Sequence, residues 1–167
     1  IKAAKLPADQ TAKLWLIEIL LRFNAGIDET DRMGYNALMH VCSVGSDDFD
    51  SVGTLIKAKI NVNAVDSNGQ TALMKCAKTK GVNSVKTILA ESNDINRVDN
   101  KGWTALMHAC LNSDDNVDTL NLLIASGANV NIQAPNGFTA MVIAARINPS
   151  RKHVDVLQKA GALVNFK

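Results

Sequence analysis

The side chains able to do chemistry in this chain are three histidines, three cysteines and two aspartate-rich runs. His40 and His108 close the matching phrases Ala37-Leu38-Met39-His40 and Ala105-Leu106-Met107-His108, with Ala72-Leu73-Met74-Lys75 between them. If each copy opens one stacked unit, roughly 20 Å separates the two imidazoles at helix-packing distances, too far to share a metal. His108 and Cys110 are two apart and point in different directions on a helix. His153 has only Arg151 and Lys152 beside it. No glycine-rich phosphate loop, nucleophile elbow or zinc spacing occurs. The chain is therefore expected not to be an enzyme and to carry no cofactor and no metal. Asp47, Asp48 and Asp50, and Asp114, Asp115 and Asp118, lack the loop geometry that six to eight calcium-binding oxygens require. As Ser46-Asp47-Asp48 and Ser113-Asp114-Asp115 they read as N-cap and first-turn residues, where acid complements the helix dipole.

Cys42, Cys76 and Cys110 fall at equivalent or adjacent positions in neighbouring units. Helices pack roughly 8–10 Å apart, whereas a disulfide needs Cα atoms within about 7 Å. Three buried, unpaired thiols are expected, and these suit a reducing, cytoplasmic compartment. The balance of 18 basic against 16 acidic residues, net +2, gives no bulk attraction to nucleic acid. The longest apolar stretch, Leu14 to Leu21, is interrupted by Glu18 and is too short for a membrane span. The chain opens at Ile1 without a Met or a signal-like segment, so it is expected to be a piece of a longer polypeptide.

The elements that position these residues are set by a repeat. Gly34, Gly69, Gly102 and Gly137 are spaced 35, 33 and 35 residues apart and open Gly-Tyr-Asn-Ala-Leu-Met, Gly-Gln-Thr-Ala-Leu-Met, Gly-Trp-Thr-Ala-Leu-Met and Gly-Phe-Thr-Ala-Met-Val. Such a period signifies stacked units rather than one globular core. In the copy without insertion, Asp66-Ser67-Asn68-Gly69 makes a turn and Thr71 stands at a helix N-cap, matched by Asn36, Thr104 and Thr139. A short first helix runs from Ala72 to about Thr79. Lys80-Gly81 turns the chain, and a second helix places Val85, Ile88 and Leu89 on its apolar side. The two extra residues of the longer copies belong in the helix–helix turn, at Ser43 to Asp48, Asn112 to Asn116 and Asn148 to Lys152. The apolar total of 47% with only 4% aromatic residues suits thin helical layers.

These units resemble ankyrin repeats, whose closing phrase is matched by Leu123-Ile124-Ala125-Ser126-Gly127-Ala128-Asn129-Val130-Asn131, Ile60-Asn61-Val62-Asn63 and Gly161-Ala162-Leu163-Val164-Asn165. The resemblance implies an all-α solenoid of stacked helix hairpins joined by extended, β-hairpin-like loops. One domain over 1–167 is expected, with a partial repeat at 1–30 and four repeats at 31–65, 66–98, 99–133 and 134–167. The partial repeat keeps an outer helix built on Leu14, Leu16, Ile17, Ile19, Leu20 and Leu21. Gln158 stands where the family has Leu, which suits a capping repeat facing water. Ala37, Ala72, Ala105 and Ala140 replace the family Pro, and Met39, Met74 and Met107 its His. A softer, thioether-packed seam between repeats is expected.

By the same resemblance, the chain is expected to be a non-catalytic interaction module of an adaptor or a bacterial or viral effector. It would be monomeric and bind a partner protein through its concave side. The residue after each turn Gly is the one least constrained by its own repeat: Tyr35, Gln70, Trp103 and Phe138. Aromatics on an exposed ridge offer large rigid area to a partner. Arg32, Met33, Asn68, Asn100, Lys101 and Asn136 adjoin them on the loop tips, and His40, Lys75 and His108 reach the groove from the first helices. The alternative reading of the aromatics is that they cover neighbouring loops. The phrases Gly-Trp-Thr-Ala-Leu-Met-His-Ala and Asn-Ser-Asp-Asp are also similar to the ankyrin region of ribonuclease L. That likeness implies an oligoadenylate-like nucleotide sensor, with Trp103 or Phe138 stacking a base and Lys75 or Lys101 meeting phosphate, although the Gly-Lys-Thr phrases of that family are missing. A third reading makes the segment a spacer or autoinhibitory arm for a neighbouring domain.

Overall fold

The computed structural model describes residues 17, 19, 26–45, 47–79, 81–92, 94–112, 117–147 and 151–163. Eight helices have defined bounds: α1 Ala37–Ser43, α2 Phe49–Lys57, α3 Ala72–Lys78, α4 Val82–Leu89, α5 Ala105–Ala109, α6 Asp118–Ala125, α7 Ala140–Ile147 and α8 Lys152–Lys159. Ile17 and Ile19 are helical as well. No strand occurs among the described residues. Each odd-numbered helix pairs with the even-numbered one that follows, and like packs on like along the chain. The result is a row of first helices α1-α3-α5-α7 and a row of second helices α2-α4-α6-α8. Among the described residues no helix is long and apolar enough to cross a membrane.

The helix starts follow from local chemistry. Asn36 Oδ1 accepts the Met39 N–H at 3.0 Å, and the hydroxyls of Thr71, Thr104 and Thr139 accept from Met74, Met107 and Val142 at 3.3 Å each, so one orphan donor per helix is satisfied. The core is the layer between the rows. Leu38, Met39, Val52, Leu55, Leu73, Met74, Val85, Ile88, Leu106, Met107, Leu120, Leu123, Met141 and Leu157 are all buried there. Small Ala72, Ala77, Ala105 and Ala109 let the first helices approach closely. The extra residues of the first full repeat do fall in the turn, which spans 44–48 where the uninterrupted repeat needs only 79–81. Gln158 is exposed.

The three cysteines correct the expectation of unpaired thiols. Cys42 on α1 and Cys76 on α3 form a disulfide with Cα atoms 4.5 Å apart, leaving only Cys110 free and buried. The distance between helix axes overstates the separation of two residues that face each other. Each Cα stands about 2.3 Å off its axis, so facing Cα atoms on helices about 9 Å apart come within bonding reach. The inference to a reducing compartment loses its basis with that pairing. Burial pushes the Cys110 thiol up to about 12, so it stays protonated and inert.

The acidic turn also departs from the simplest reading. Asp48 caps α2 of its own repeat through the Ser51 N–H, whereas Asp47 caps the next repeat. Its carboxylate accepts the backbone N–H groups of Asn83 and Ser84 and both of their side chains at 2.8–2.9 Å. The N-cap of α4 is Gly81, which has no side chain to offer, so an aspartate from the neighbouring turn replaces a local cap. Burial works to raise the Asp47 pKa, but these four donors outweigh it and hold the carboxyl below 3.8. Asp114 and Asp115 lie outside the described residues, as do Leu14, Leu16, Leu20 and Leu21.

Candidate functional site

Each turn is closed by two backbone bonds, Asp66 N–H to Gln70 O and Gly69 N–H to Asp66 O in the second full repeat, with the same pairs in the other three. Gly69 takes φ +73°, and a Cβ there would meet Asn100 Oδ1 at 2.5 Å. The turn therefore excludes side chains where the next loop crosses it. Neighbouring tips are joined: Ser67 N–H and Oγ both donate to Met33 O, Asn100 N–H donates to Asn68 O, and Asn100 Nδ2 donates to Ser67 O. The first three tips are thus tied into one ridge. At the last repeat Pro135 stands where Ser67 and Asn100 stand earlier, and Pro has no N–H to continue the ladder.

In three repeats the turn aspartate binds the base nine residues later. Asp31, Asp66 and Asp99 each use Oδ1 to accept two backbone N–H groups of their own turn, at 2.8–2.9 Å. Each uses Oδ2 for a first-helix base: His40 at 2.9 Å, Lys75 at 2.7 Å and His108 at 2.9 Å. The last repeat has Ala134 and Ile143 at these two positions, both buried. The Asp31 carboxyl is held below 3.8, chiefly by the Tyr35 N–H. Burial works to raise Asp99, but donors from Trp103, His108 and Lys101 outweigh it and hold the group low. Burial drives the His108 pKa below 6.5 despite Asp99. Burial thus favours the neutral imidazole, and because a carboxylate only accepts, the Nε2 facing Asp99 must carry a proton.

The residues after the turn glycines are not the least constrained of the chain. Tyr35, Gln70, Trp103 and Phe138 are half-buried and, except for Gln70, pack against the core. Each aromatic leans on a base. Tyr35 lies 5.2 Å from His40 and carries the Lys75 ammonium 3.8 Å above its ring. Trp103 lies 5.7 Å from His108 and 6.2 Å from Phe138, and Arg146 sits 4.7 Å over Phe138. Gln70 Oε1 accepts from Lys75 at 3.3 Å. The indole N–H of Trp103 is buried and finds no acceptor among the described residues. The rings are held by the first-helix bases of their own repeat and, for Tyr35 and Trp103, also by a side chain of the next repeat.

The residues left open to a partner are Arg32, Met33, Asn68, Asn100, Lys101 and Asn136 on the tips, and His40 on α1, whose side chain is 57% exposed. Met33, 56% exposed, is an apolar side chain with no cover. Lys75 and His108 are buried within their clasps, yet both line a cleft of about 260 Å³ along α3, together with Tyr35, Gln70, Met74 and Lys78. Reasoning from sequence did not find the clasps. The signal was present as an Asp and a base nine apart in three repeats, both lost together in the fourth. Among the described residues no three His, Cys, Asp or Glu side chains are grouped to hold a metal ion.

A family model described as ankyrin repeats (3 copies) matches residues 3–99 and again residues 73–167. No curated protein matches the chain.

Proposed function

Since the chain belongs to the ankyrin-repeat family, whose members are in general protein-interaction modules, we propose that it binds a partner protein across the ridge of loop tips and the row of first helices. The observation that carries this reading is the continuity of that face. The tips are bonded to one another from Met33 to Asn100, and the bases beneath them are locked in place. A surface fixed before binding loses little entropy on association. The half-buried aromatics supply rigid walls, and the exposed contacts are Met33, His40, Lys101 and their neighbours. The module acts without catalysis, as part of a larger adaptor or effector polypeptide.

The test follows from the packing. Replacing Tyr35, Trp103 or Phe138 with Ala would damage the core, so the informative variants are on open positions. A Met33→Glu, His40→Ala, Lys101→Glu variant and a control variant with Lys57→Glu on α2 are used as bait in cytosol, with circular dichroism to show equal helicity. Proteins retained by the native chain and the control and lost from the ridge variant support the reading. Identical retention by all three contradicts it. Nucleotide sensing gains no support from the geometry, since the Trp103 ring is already engaged by His108 and Phe138.

A further inference from the structure

The first-helix row has a one-sided charge. Helices α1, α3, α5 and α7 carry His40, Lys75, Lys78, His108 and Arg146 and not one Asp or Glu. The second-helix row is mixed, with Asp50 and Lys57 on α2 and Asp155 and Lys159 on α8. Among the described residues, the turn carboxylates Asp31, Asp66 and Asp99 are already bound by backbone N–H groups and clasped bases, and Asp47, in the turn after α1, by the start of α4. None of them is available to neutralise the other cations of the row.

Two of those cations stand at the same repeat position. Lys78 lies twelve residues after Asp66, and Arg146 twelve after Ala134, two repeats further on. Lys78 is exposed at the mouth of the cleft and forms no ion pair among the described residues. Lys75 forms the cleft's fixed wall, with its ammonium satisfied by Asp66, Gln70 and the Tyr35 ring. Arg146 is held over Phe138. Position in the last helical turn accounts for a cation at either site, but not for the lack of any acid along the whole row.

Resting on the interaction reading above, we propose that this row receives an extended acidic segment of the partner protein, with one carboxylate side chain entering the cleft at Lys78 and a second meeting Arg146. Two repeats separate the cations by roughly 20 Å, and an extended chain rises about 3.3 Å per residue, so the two acids are about six residues apart. A carboxylate suits the site better than a phosphate. Both cations lie toward the carboxyl ends of their helices, away from the N-terminal N–H groups that hold phosphoryl oxygens.

The experiment is selection of a randomised displayed peptide library on the native chain. Fluorescence anisotropy of the recovered peptides then follows on the native chain and on Lys78→Glu, Arg146→Glu, Lys57→Glu and Met33→Glu variants of unchanged helicity. The expected result is recovery of peptides with acids spaced about six apart. Their affinity falls at least about tenfold with Lys78→Glu or Arg146→Glu, since like charge is then juxtaposed, and little with Lys57→Glu. Recovery of no peptide, of peptides without acids, or of acidic peptides weakened equally by Lys57→Glu overturns the proposal. If acid-free peptides still lose affinity with Met33→Glu, the interaction reading stands and only the acidic preference falls. If recovered peptides ignore every ridge and first-helix substitution, both fall.

Discussion

The second full repeat and the last one fold into the same hairpin with different walls. In the former, Asp66 binds two backbone N–H groups and the Lys75 ammonium; in the latter, Ala134 and Ile143 do neither and are both buried. Yet the backbone of both turns closes identically, with Ala134 N–H to Phe138 O and Gly137 N–H to Ala134 O, each at 2.8 Å. The turn therefore does not depend on the aspartate. What the aspartate adds is a fixed base on the first helix, and with it a polar, preorganised wall. Without it the last repeat presents Phe138 and Arg146 on an apolar base, and α7 packs less closely on α5 than α5 does on α3.

The largest effect should come from breaking the clasp where it is most buried. The Asp66 and Lys75 side chains are 0% and 5% exposed, so Asp66→Ala leaves a buried ammonium unpaired and should lower unfolding free energy by about 3–5 kcal/mol. Adding Lys75→Met makes the second repeat resemble the last, and urea unfolding should show most of that loss restored. A double variant as unstable as the single one would mean that the turn itself needs the carboxylate. Next in size is Asp47→Ala, which removes the only side-chain cap of α4 among the described residues and should cost about 1–2 kcal/mol. The native protein gains this contribution above pH 3.8 and loses it as pH falls through the depressed pKa; the variant should lack that portion of the acid transition.

Lys59 sharpens the comparison in the other direction. It takes φ +69°, at the position where the third and fourth repeats have Gly127 and Gly161 in the same left-handed conformation. Lys59→Gly should stabilise the protein by about 1 kcal/mol, read as a higher urea midpoint, whereas Gly127→Lys should have the opposite sign. The finest signal is pH dependence at the third repeat. The folded His108 pKa lies below 6.5, so between that depressed value and 6.5 the unfolded chain binds the extra proton. Stability should decline as pH drops through that window and level off below the folded pKa. His108→Gln should abolish this share of the decline. An unchanged slope would show that the buried imidazole is not its source.

The repeat frame, the helix caps and the turn glycines were legible in the sequence because they are set by neighbours within a few residues. Thr71 caps Met74, and Asn36 caps Met39, by rules that need no tertiary structure. The trans cap at Asp47, the Cys42–Cys76 pair and the loop-tip ladder depend on contacts thirty-odd residues away in the adjacent repeat, and position within one repeat says nothing of them directly. The clasps lay between these cases. Their nine-residue spacing spans a turn and a helix start, so it belongs to no single periodicity. The exposure of Tyr35, Trp103 and Phe138 was not legible, because burial of a ring depends on the base beside it.

The most direct test of the interaction face is a hydrogen-exchange footprint of the native chain, alone and bound to a partner recovered by the capture assay. The account predicts protection concentrated in residues 31–40, 66–78, 99–108 and 134–146, with α2, α4, α6 and α8 unchanged. Protection confined to the second-helix row, with the loop tips exchanging as in the free protein, would contradict it.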